Sequence, residues 1–261
     1  MNLKHLATPL LIAGALLLAA CSKSPMDTPL VMGKGVEAYK LDLGARVEKM
    51  TELELEAYNW AVDGVTYEEL LTLAPNKTPR EIIRMGVSNS KAIYEREIQQ
   101  AEKAVAEYEA ILQELKKIAA SDTSLVYEKT FFGFMPKLTF SVVNDSRFKI
   151  GALNWNAWLF LDGADKSEAG YRLHRNYKQT KLLAMESGKA YVEKHDIGNV
   201  AGDFAWTSQV AMQAKRREVQ VEPRYESIED MDGNKILPKS PIAWRDSLKK
   251  RAEMNERYSS I

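Results

Sequence analysis

The chain has 261 residues, of which 45% are hydrophobic and 28% are charged. This length is ample for a hydrophobic core and is near the upper limit for a single one, so we expect two domains. Lys and Arg number 36, Asp and Glu number 36, and Lys215-Arg216-Arg217 is a tight basic cluster. Nucleic-acid-binding proteins usually carry a basic excess or a concentrated basic face, so this balance excludes nucleic acid as an expected partner.

The N-terminal segment has the order of a secretory signal. A short polar start with Lys4 and His5 precedes an almost wholly apolar run from Leu6 to Ala20, and small residues then precede Cys21. This is the sequence of n-region, h-region and cleavage site. A membrane-spanning helix is the alternative, but it needs about 20 apolar residues, and this run has about 15. We therefore predict a signal peptide over residues 1–20.

The motif Leu18-Ala19-Ala20-Cys21 resembles the lipobox of bacterial lipoproteins. The resemblance implies cleavage before Cys21, which would then carry a diacylglyceryl thioether and an amide-linked acyl chain. One acyl chain holds a protein only marginally, whereas several chains on one residue form a lasting membrane anchor. Ser22 stands where an aspartate would imply inner-membrane retention, so the resemblance implies the outer membrane of a Gram-negative cell, with the protein facing the periplasm. In a Gram-positive host it would imply the outer face of the plasma membrane.

Cys21 is the one cysteine of the chain, so an acylated mature protein has no thiol for disulfides or for cysteine chemistry. Removing residues 1–20 takes away only Lys4 among the charged residues, which leaves 35 basic against 36 acidic residues and a net charge of −1. An exported domain without disulfides relies on its hydrophobic core.

The residues that follow predict a tether and then a helical domain. Residues 21–44 are read as the lipidated cysteine and a flexible spacer, because the first part of this range is rich in proline, glycine and polar residues. The helical domain is predicted over residues 45–122. Its helix starts are marked by Thr51 with Glu54, by Thr66 with Glu69, and by Thr78-Pro79-Arg80-Glu81, which place an N-cap three residues before a glutamate.

The third predicted helix is long and amphipathic, with an interruption or kink expected between Gly86 and Ser90. Its apolar residues recur at intervals of three and four: Ile98, Ala101, Val105, Tyr108, Leu112, Leu115 and Ala119. This spacing is typical of a coiled-coil stripe. The stripe either packs inside the chain or forms a seam for self-association or a partner, and the oligomeric state stays open.

Residues 123–240 predict an antiparallel β-sandwich, and residues 241–261 a C-terminal helix, so the fold class is α+β. Strands are expected at Val126–Phe132, Lys137–Val143, Ala152–Leu161 and Gly188–His195, with one or two more in Val210–Ile228 and a hairpin turn at Asp232-Gly233-Asn234. The motifs Phe140–Asn144, Glu186–Lys189 and Asp232–Asn234 resemble small immunoglobulin-like domains of secreted bacterial proteins. Tyr58–Val62 and Asn76–Ile83 resemble Gram-negative lipoproteins for which no chemistry is assigned, so this resemblance implies no functional residues.

Motifs for catalysis are missing from the sequence: it has no G-x-S-x-G elbow, no H-E-x-x-H and no P-loop. The mature chain has two histidines, His174 and His195. They could bind a metal together only if neighbouring strands brought them side by side, and a third ligand is not evident. Asp230, Asp232 and Asn234 lack the spacing of an EF-hand loop. We therefore predict no catalytic, cofactor or metal site.

Aromatic residues are the more suggestive group, because an outward-facing cluster would bind protein or carbohydrate. The candidate interaction surface consists of Phe131, Phe132, Phe134, Trp155 and Trp158. The alternative is that these aromatics form the core of the β domain. Three functions follow as hypotheses: a lipid-anchored, non-catalytic envelope protein with protein partners, a periplasmic protein that binds a small ligand or carbohydrate, and a hydrolase of envelope polymers that uses carboxylates.

Overall fold

The computed structural model describes residues 24–131, 133–180, 182–197 and 204–261, and within them it confirms the predicted α+β class. The helices are α1 (Val36–Val47), α2 (Glu52–Val62), α3 (Tyr67–Leu73), α4 (Pro79–Leu115), α5 (Gln209–Gln213) and α6 (Ile242–Tyr258). The strands are β1 (Ile118–Thr130), β2 (Gly133–Asn144), β3 (Ala152–Leu161), β4 (Ala169–Asn176), β5 (Lys189–Asp196) and β6 (Arg217–Pro223). The signal peptide and Cys21 lie outside the described residues.

The chain divides into a helical unit and a β unit at positions that differ from the predicted boundaries. The helical unit contains the described residues up to Glu95 together with Lys250–Ile261, and the β unit spans Arg96–Lys249. Both divisions fall inside helices, α4 and α6, rather than in loops after residues 122 and 240. The reason lies in packing, because Leu115 belongs to the buried cluster of the β unit, and Tyr108, Ile111 and Leu112 pack against that cluster. The second half of α4 is therefore part of the β unit's core.

The three predicted helix starts are confirmed at atomic detail. In α2 the Glu54 amide donates to the Thr51 hydroxyl at 3.3 Å, and the Thr51 amide donates to the Glu54 carboxylate at 2.9 Å. Thr66 and Glu69 repeat this reciprocal pair at the start of α3. At the start of α4 the Glu81 amide donates to the Thr78 hydroxyl at 3.1 Å. Each pair satisfies amide groups that a helix N-terminus leaves without intrahelical partners.

The predicted flexible tether is wrong over residues 24–44. Met26, Leu30 and Met32 are buried at 0%, 3% and 2% exposure in the core of the helical unit. Residues 36–44 belong to α1, which the prediction missed because its apolar residues do not form a clear stripe and none of them is fully buried. Proline and glycine are common in spacers, but here the methionines and leucine between them supply core contacts.

Helix α4 is continuous through Gly86–Ser90, where an interruption was expected. Gly86 is needed there for close packing, since a Cβ at this position would lie 3.3 Å from Ala61 Cβ and 3.3 Å from a ring carbon of Trp60. Further along the helix, Ala101, Val105 and Leu115 are buried within the chain. The apolar stripe therefore packs intramolecularly at these positions, and Ala119 falls in β1 rather than in the helix.

The β unit contains two three-stranded antiparallel sheets, with orders β1-β2-β5 and β4-β3-β6. One buried cluster draws on both sheets, including Phe140 and Val142 from β2 and Trp155 and Leu159 from β3. Strand β3 lies where the sequence predicts it, and Leu153, Trp155, Ala157, Leu159 and Leu161, at alternate positions, are all buried. This pattern is that of a strand with one face on a core.

Three parts of the β prediction need correction. Strand β4 was missed, since Ala169 and Leu173 are its two buried residues and polar or charged residues (Arg172, His174, Arg175 and Asn176) fill most of the other positions. Residues 209–213 form α5 instead of a strand, because the Ser208 hydroxyl accepts the Ala211 amide and caps a helix. The turn at residues 232–234 is present, but an isolated bridge between Glu229 and Lys235 replaces the expected hairpin of strands.

Candidate functional site

The end of the β1–β2 hairpin carries exposed aromatic residues, as the sequence predicted. Thr130 pairs with Gly133, whose φ of +113° suits glycine. Phe131 is 96% exposed and Phe134 is 48% exposed. Phe132 lies outside the described residues. Two of the candidate surface residues, Phe131 and Phe134, are thus brought together at one end of the hairpin.

A groove of about 450 Å³ lies beside this hairpin. Its walls come from β1, β2, α5 and the first residue of β6: Leu125, Val126, Tyr127, Phe134, Gln209, Met212, Gln213 and Arg217. The Arg217 guanidinium lies 5.3 Å from the centre of the Tyr127 ring, and the Tyr127 hydroxyl donates to the Trp206 carbonyl at 2.8 Å. Burial raises the pKa of Tyr127, so this hydroxyl is a neutral donor at physiological pH. The groove combines an apolar wall of aliphatic and aromatic side chains with one fixed cation and two amides, so its lining is about equally polar and apolar.

The two tryptophans of the candidate surface have different positions. Trp155 is fully buried and lies edge-on to Phe140 with ring centres 5.4 Å apart, so its assignment to an exposed surface is wrong. The cause is the two-residue period of β3, which turns Trp155 toward the shared core. Trp158 points to the other face of β3 and is half-buried, with its indole against Gly170 of β4.

A buried carboxylate lies in the β unit, and sequence reasoning missed it. The Glu193 side chain is 1% exposed, and its Oε2 lies 3.1 Å from Arg175 Nε and 3.3 Å from His195 Nε2. His195 stacks on Phe140 with ring centres 5.6 Å apart, and Arg175 lies 5.9 Å from the centre of the Tyr177 ring. Tyr191, Glu193 and His195 share the inward face of β5, while Val192 between them is 61% exposed. The missed signal was this alternation, with polar residues on the buried face.

The charges around Glu193 decide its protonation. Burial alone would raise the pKa of Glu193, but the close contacts with His195 and Tyr177 and the charge of Arg175 outweigh it, so the pKa lies below its usual value. Burial and the neighbouring Glu193 charge raise the pKa of Tyr177, which stays protonated. The contacts to Arg175 and His195 are close in distance but poorly aligned, and neither Glu193 oxygen has a well-formed hydrogen bond in the described part of the chain. A closed, ionised carboxylate of this kind is suited to holding two sheets together rather than to proton transfer with a substrate.

The histidines and the acidic loop form no metal site among the described residues, where no group of three potential ligands occurs. His174 lies on β4 and its Nδ1 is 2.7 Å from the Asn154 amide oxygen, whereas His195 belongs to the other sheet. In the acidic loop, Asp230 Oδ1 accepts the amides of Asp232 and Asn234 at 2.9 Å each. These backbone hydrogen bonds, the one from Asn234 first, hold the pKa of Asp230 below its usual value.

A second concavity of about 500 Å³ contains this loop and is lined by Arg147, Phe148, Lys149, Asp230, Met231, Asp232, Lys235 and Ile236. Lys235 Nζ is already 2.8 Å from Glu229 Oε1, and Lys149 Nζ is 2.8 Å from Glu186 Oε1. The Asp230 carboxylate is used by the turn. The two lysines of this concavity are therefore paired with carboxylates outside its lining, and the lowered pKa of Asp230 does not suit a general acid.

No protein-family model matches the chain, and no curated protein or solved structure is similar to it. None of the helices in the described ranges is long and apolar enough to cross a membrane.

Proposed function

We propose that the protein is a lipid-anchored lipoprotein of the cell envelope, held by acyl chains on Cys21 at the periplasmic face of the outer membrane. It acts by binding an envelope protein with the groove and hairpin end of the β unit, without catalysis. The Leu18-Ala19-Ala20-Cys21 motif supports the anchor. The groove beside Tyr127 and Phe134 is the observation that carries the binding role.

The groove supports a protein partner through its composition. Phe134 is 48% exposed, and Leu125, Tyr127 and Met212 line the groove with it, so several apolar side chains meet at one surface. Tyr127, Met212 and Arg217 are of the residue types enriched in protein interfaces, where aromatic and arginine side chains contribute most of the binding energy. The stacking of Arg217 on Tyr127 holds its guanidinium in place beside the apolar wall.

A photo-crosslinking amino acid placed at Phe134 in living cells tests the binding role. We expect a discrete adduct at this position and none at Val192, which is equally apolar and 61% exposed but lies on β5 outside the groove. A second variant, Met212→Asp, should abolish the Phe134 adduct while leaving the protein at its normal level. Equal crosslinking at both positions, or none at Phe134, would contradict the proposed binding surface.

A small ligand is the second candidate for the same groove. Its volume of about 450 Å³ lies within the range of ligand pockets, and Gln209, Gln213 and Arg217 supply polar groups around aromatic walls. Titration of the purified protein with soluble fragments of envelope polysaccharide, followed by Tyr127 and Phe134 resonances, separates this candidate from a protein partner. Saturable shifts confined to the groove residues would favour the ligand.

A further inference from the structure

The chain becomes part of the helical unit almost directly after Cys21. Met26 is fully buried, and Leu30 and Met32 follow it into the same core. The Leu30 amide donates to the Lys77 carbonyl at 3.1 Å, and the Tyr67 hydroxyl donates to the Met32 carbonyl. These contacts tie the segment to α3 and to the residues before α4.

Arg46 of α1 fixes the start of this segment, residues 25–29. Its guanidinium donates to the carbonyls of Pro25 at 3.1 Å, Thr28 at 2.8 Å and Pro29 at 2.9 Å. Asp42, one turn earlier, orients Arg46 through a bidentate contact at 3.0 and 3.1 Å. Arginine with several donors in a rigid plane is well suited to hold a turn of backbone in one place. The Arg46 side chain is 13% exposed, so the contact is shielded from water.

The length of chain between lipid and folded unit follows from these contacts. Only residues 22 and 23 lie between Cys21 and Ser24, so three Cα–Cα steps separate them. A fully extended chain spans at most about 3.6 Å per residue, which limits this distance to about 11 Å in any conformation. A flexible tether from Cys21 to residue 44 would have allowed a distance of about 80 Å between the lipid anchor and the folded unit by the same measure.

We infer that the helical unit rests directly on the lipid headgroup surface, with the turn at residues 24–29 and the adjoining end of α1 facing the membrane. This inference rests on the proposed acylation of Cys21. The headgroup layer on each side of a bilayer is itself about 5–7 Å thick, so a limit of about 11 Å leaves no room for a folded protein between Ser24 and the lipid. The occupant of this face is therefore lipid and not a protein partner.

Headgroup quenching measures the distance directly. Acylation uses the chain's one cysteine, so a cysteine introduced as Asp27→Cys is the single free thiol of the lipidated protein. The Asp27 side chain is 47% exposed and can carry a fluorophore. In vesicles whose phosphatidylcholine carries a nitroxide on the headgroup, we expect most of the emission of this fluorophore to be quenched. A fluorophore on Pro29→Cys, at a second exposed position of the same turn, should be quenched to a similar extent.

A spacer variant is the matched control. About twenty Gly and Ser residues inserted between Lys23 and Ser24 behave as a flexible coil with an average span of about 25 Å. We expect quenching at both labelled positions to fall several-fold in this variant. Weak quenching with the native spacing, or equal quenching with and without the spacer, would overturn the inference. An unacylated Cys21, detected by mass before the vesicles are made, would overturn the proposed anchor itself and this inference with it.

Discussion

The helical unit and the β unit both bury apolar clusters, but they differ in what lies among those residues. The cluster of the helical unit includes Met26, Tyr58 and Ile83, and no charged side chain among the described residues of this unit is buried as deeply, since its Arg46–Asp42 pair keeps 13% and 21% exposure. In the β unit, Glu193 is the one charged residue that is buried among the described residues. The difference indicates that apolar burial and local capping stabilise the helical unit, whereas the stability of the β unit also depends on one ionised carboxylate between its two sheets.

Removal of a core tryptophan of the β unit should have the largest effect. Trp155→Ala leaves a cavity against Phe140, and truncation of a buried tryptophan costs about 3–5 kcal/mol in unfolding free energy. Trp158→Ala, on the half-buried face of the same strand, should cost about 1 kcal/mol. Urea unfolding followed by circular dichroism measures both variants. Equal losses would mean that the two faces of β3 do not differ as described.

Loss of the buried Glu193 carboxylate should have the second largest effect on stability. Glu193→Gln leaves Arg175 and His195 opposite a neutral amide, and removing one partner of a buried ion pair costs about 3–5 kcal/mol when both partners are fully buried. Because Arg175 is 31% exposed and is partly solvated, we expect a loss of about 2 kcal/mol. The control is Glu226→Gln, whose carboxylate is 64% exposed beside Arg224 and should change stability by less than about 1 kcal/mol. Similar small effects for both variants would show that the core does not depend on the Glu193 charge.

The pH dependence of stability separates the charge of Glu193 from its size. The pKa of Glu193 is lower in the folded state than in the unfolded chain. Its stabilisation is therefore fully present above the unfolded pKa of about 4.3 and is lost as the pH falls through the folded value. The difference in unfolding free energy between the native chain and Glu193→Gln should be constant from pH 7 to about pH 5 and shrink below about pH 4. A difference that stays constant down to pH 3 would contradict an ionised Glu193.

Loss of a local cap in the helical unit should have the smallest effect. Thr66→Ala removes the hydroxyl that accepts the Glu69 amide, which typically costs about 1 kcal/mol. Thr72→Ala, inside the same helix, removes only an exposed hydroxyl bonded to the Glu68 carbonyl and should be neutral or slightly stabilising. Amide exchange of α3 measures the two variants, and equal protection in both would contradict a stabilising capping box.

Features set by neighbouring residues could be predicted from the sequence, and features set by distant contacts could not. The starts of α2, α3 and α4 depend on four consecutive residues each, and the alternation of β3 depends on one strand. By contrast, the burial of Met26 depends on packing against residues more than thirty positions away. The exposed Phe131 and Phe134 could be recognised because a turn lies between two strands.

The Glu193 cluster could not be predicted, because it requires two sheets to meet. Glu193 and His195 come from β5, and Arg175 comes from the end of β4 in the other sheet. Polar residues at alternate positions of a strand usually indicate its solvent face, and Val192 between them made the opposite assignment equally plausible. Which face of β5 is buried depends on the pairing of β5 with β2, where Glu193 stands opposite Phe140.

The mass of the N-terminal peptide, taken from protein extracted from membranes with detergent, tests the central claim most directly. We predict a peptide that begins at Cys21 and carries the mass of a diacylglyceryl group and one further acyl chain. In the Cys21→Ser variant this acylated peptide should be absent. A native chain that keeps residues 1–20, or that begins elsewhere with a free Cys21 thiol, would contradict the lipid anchor.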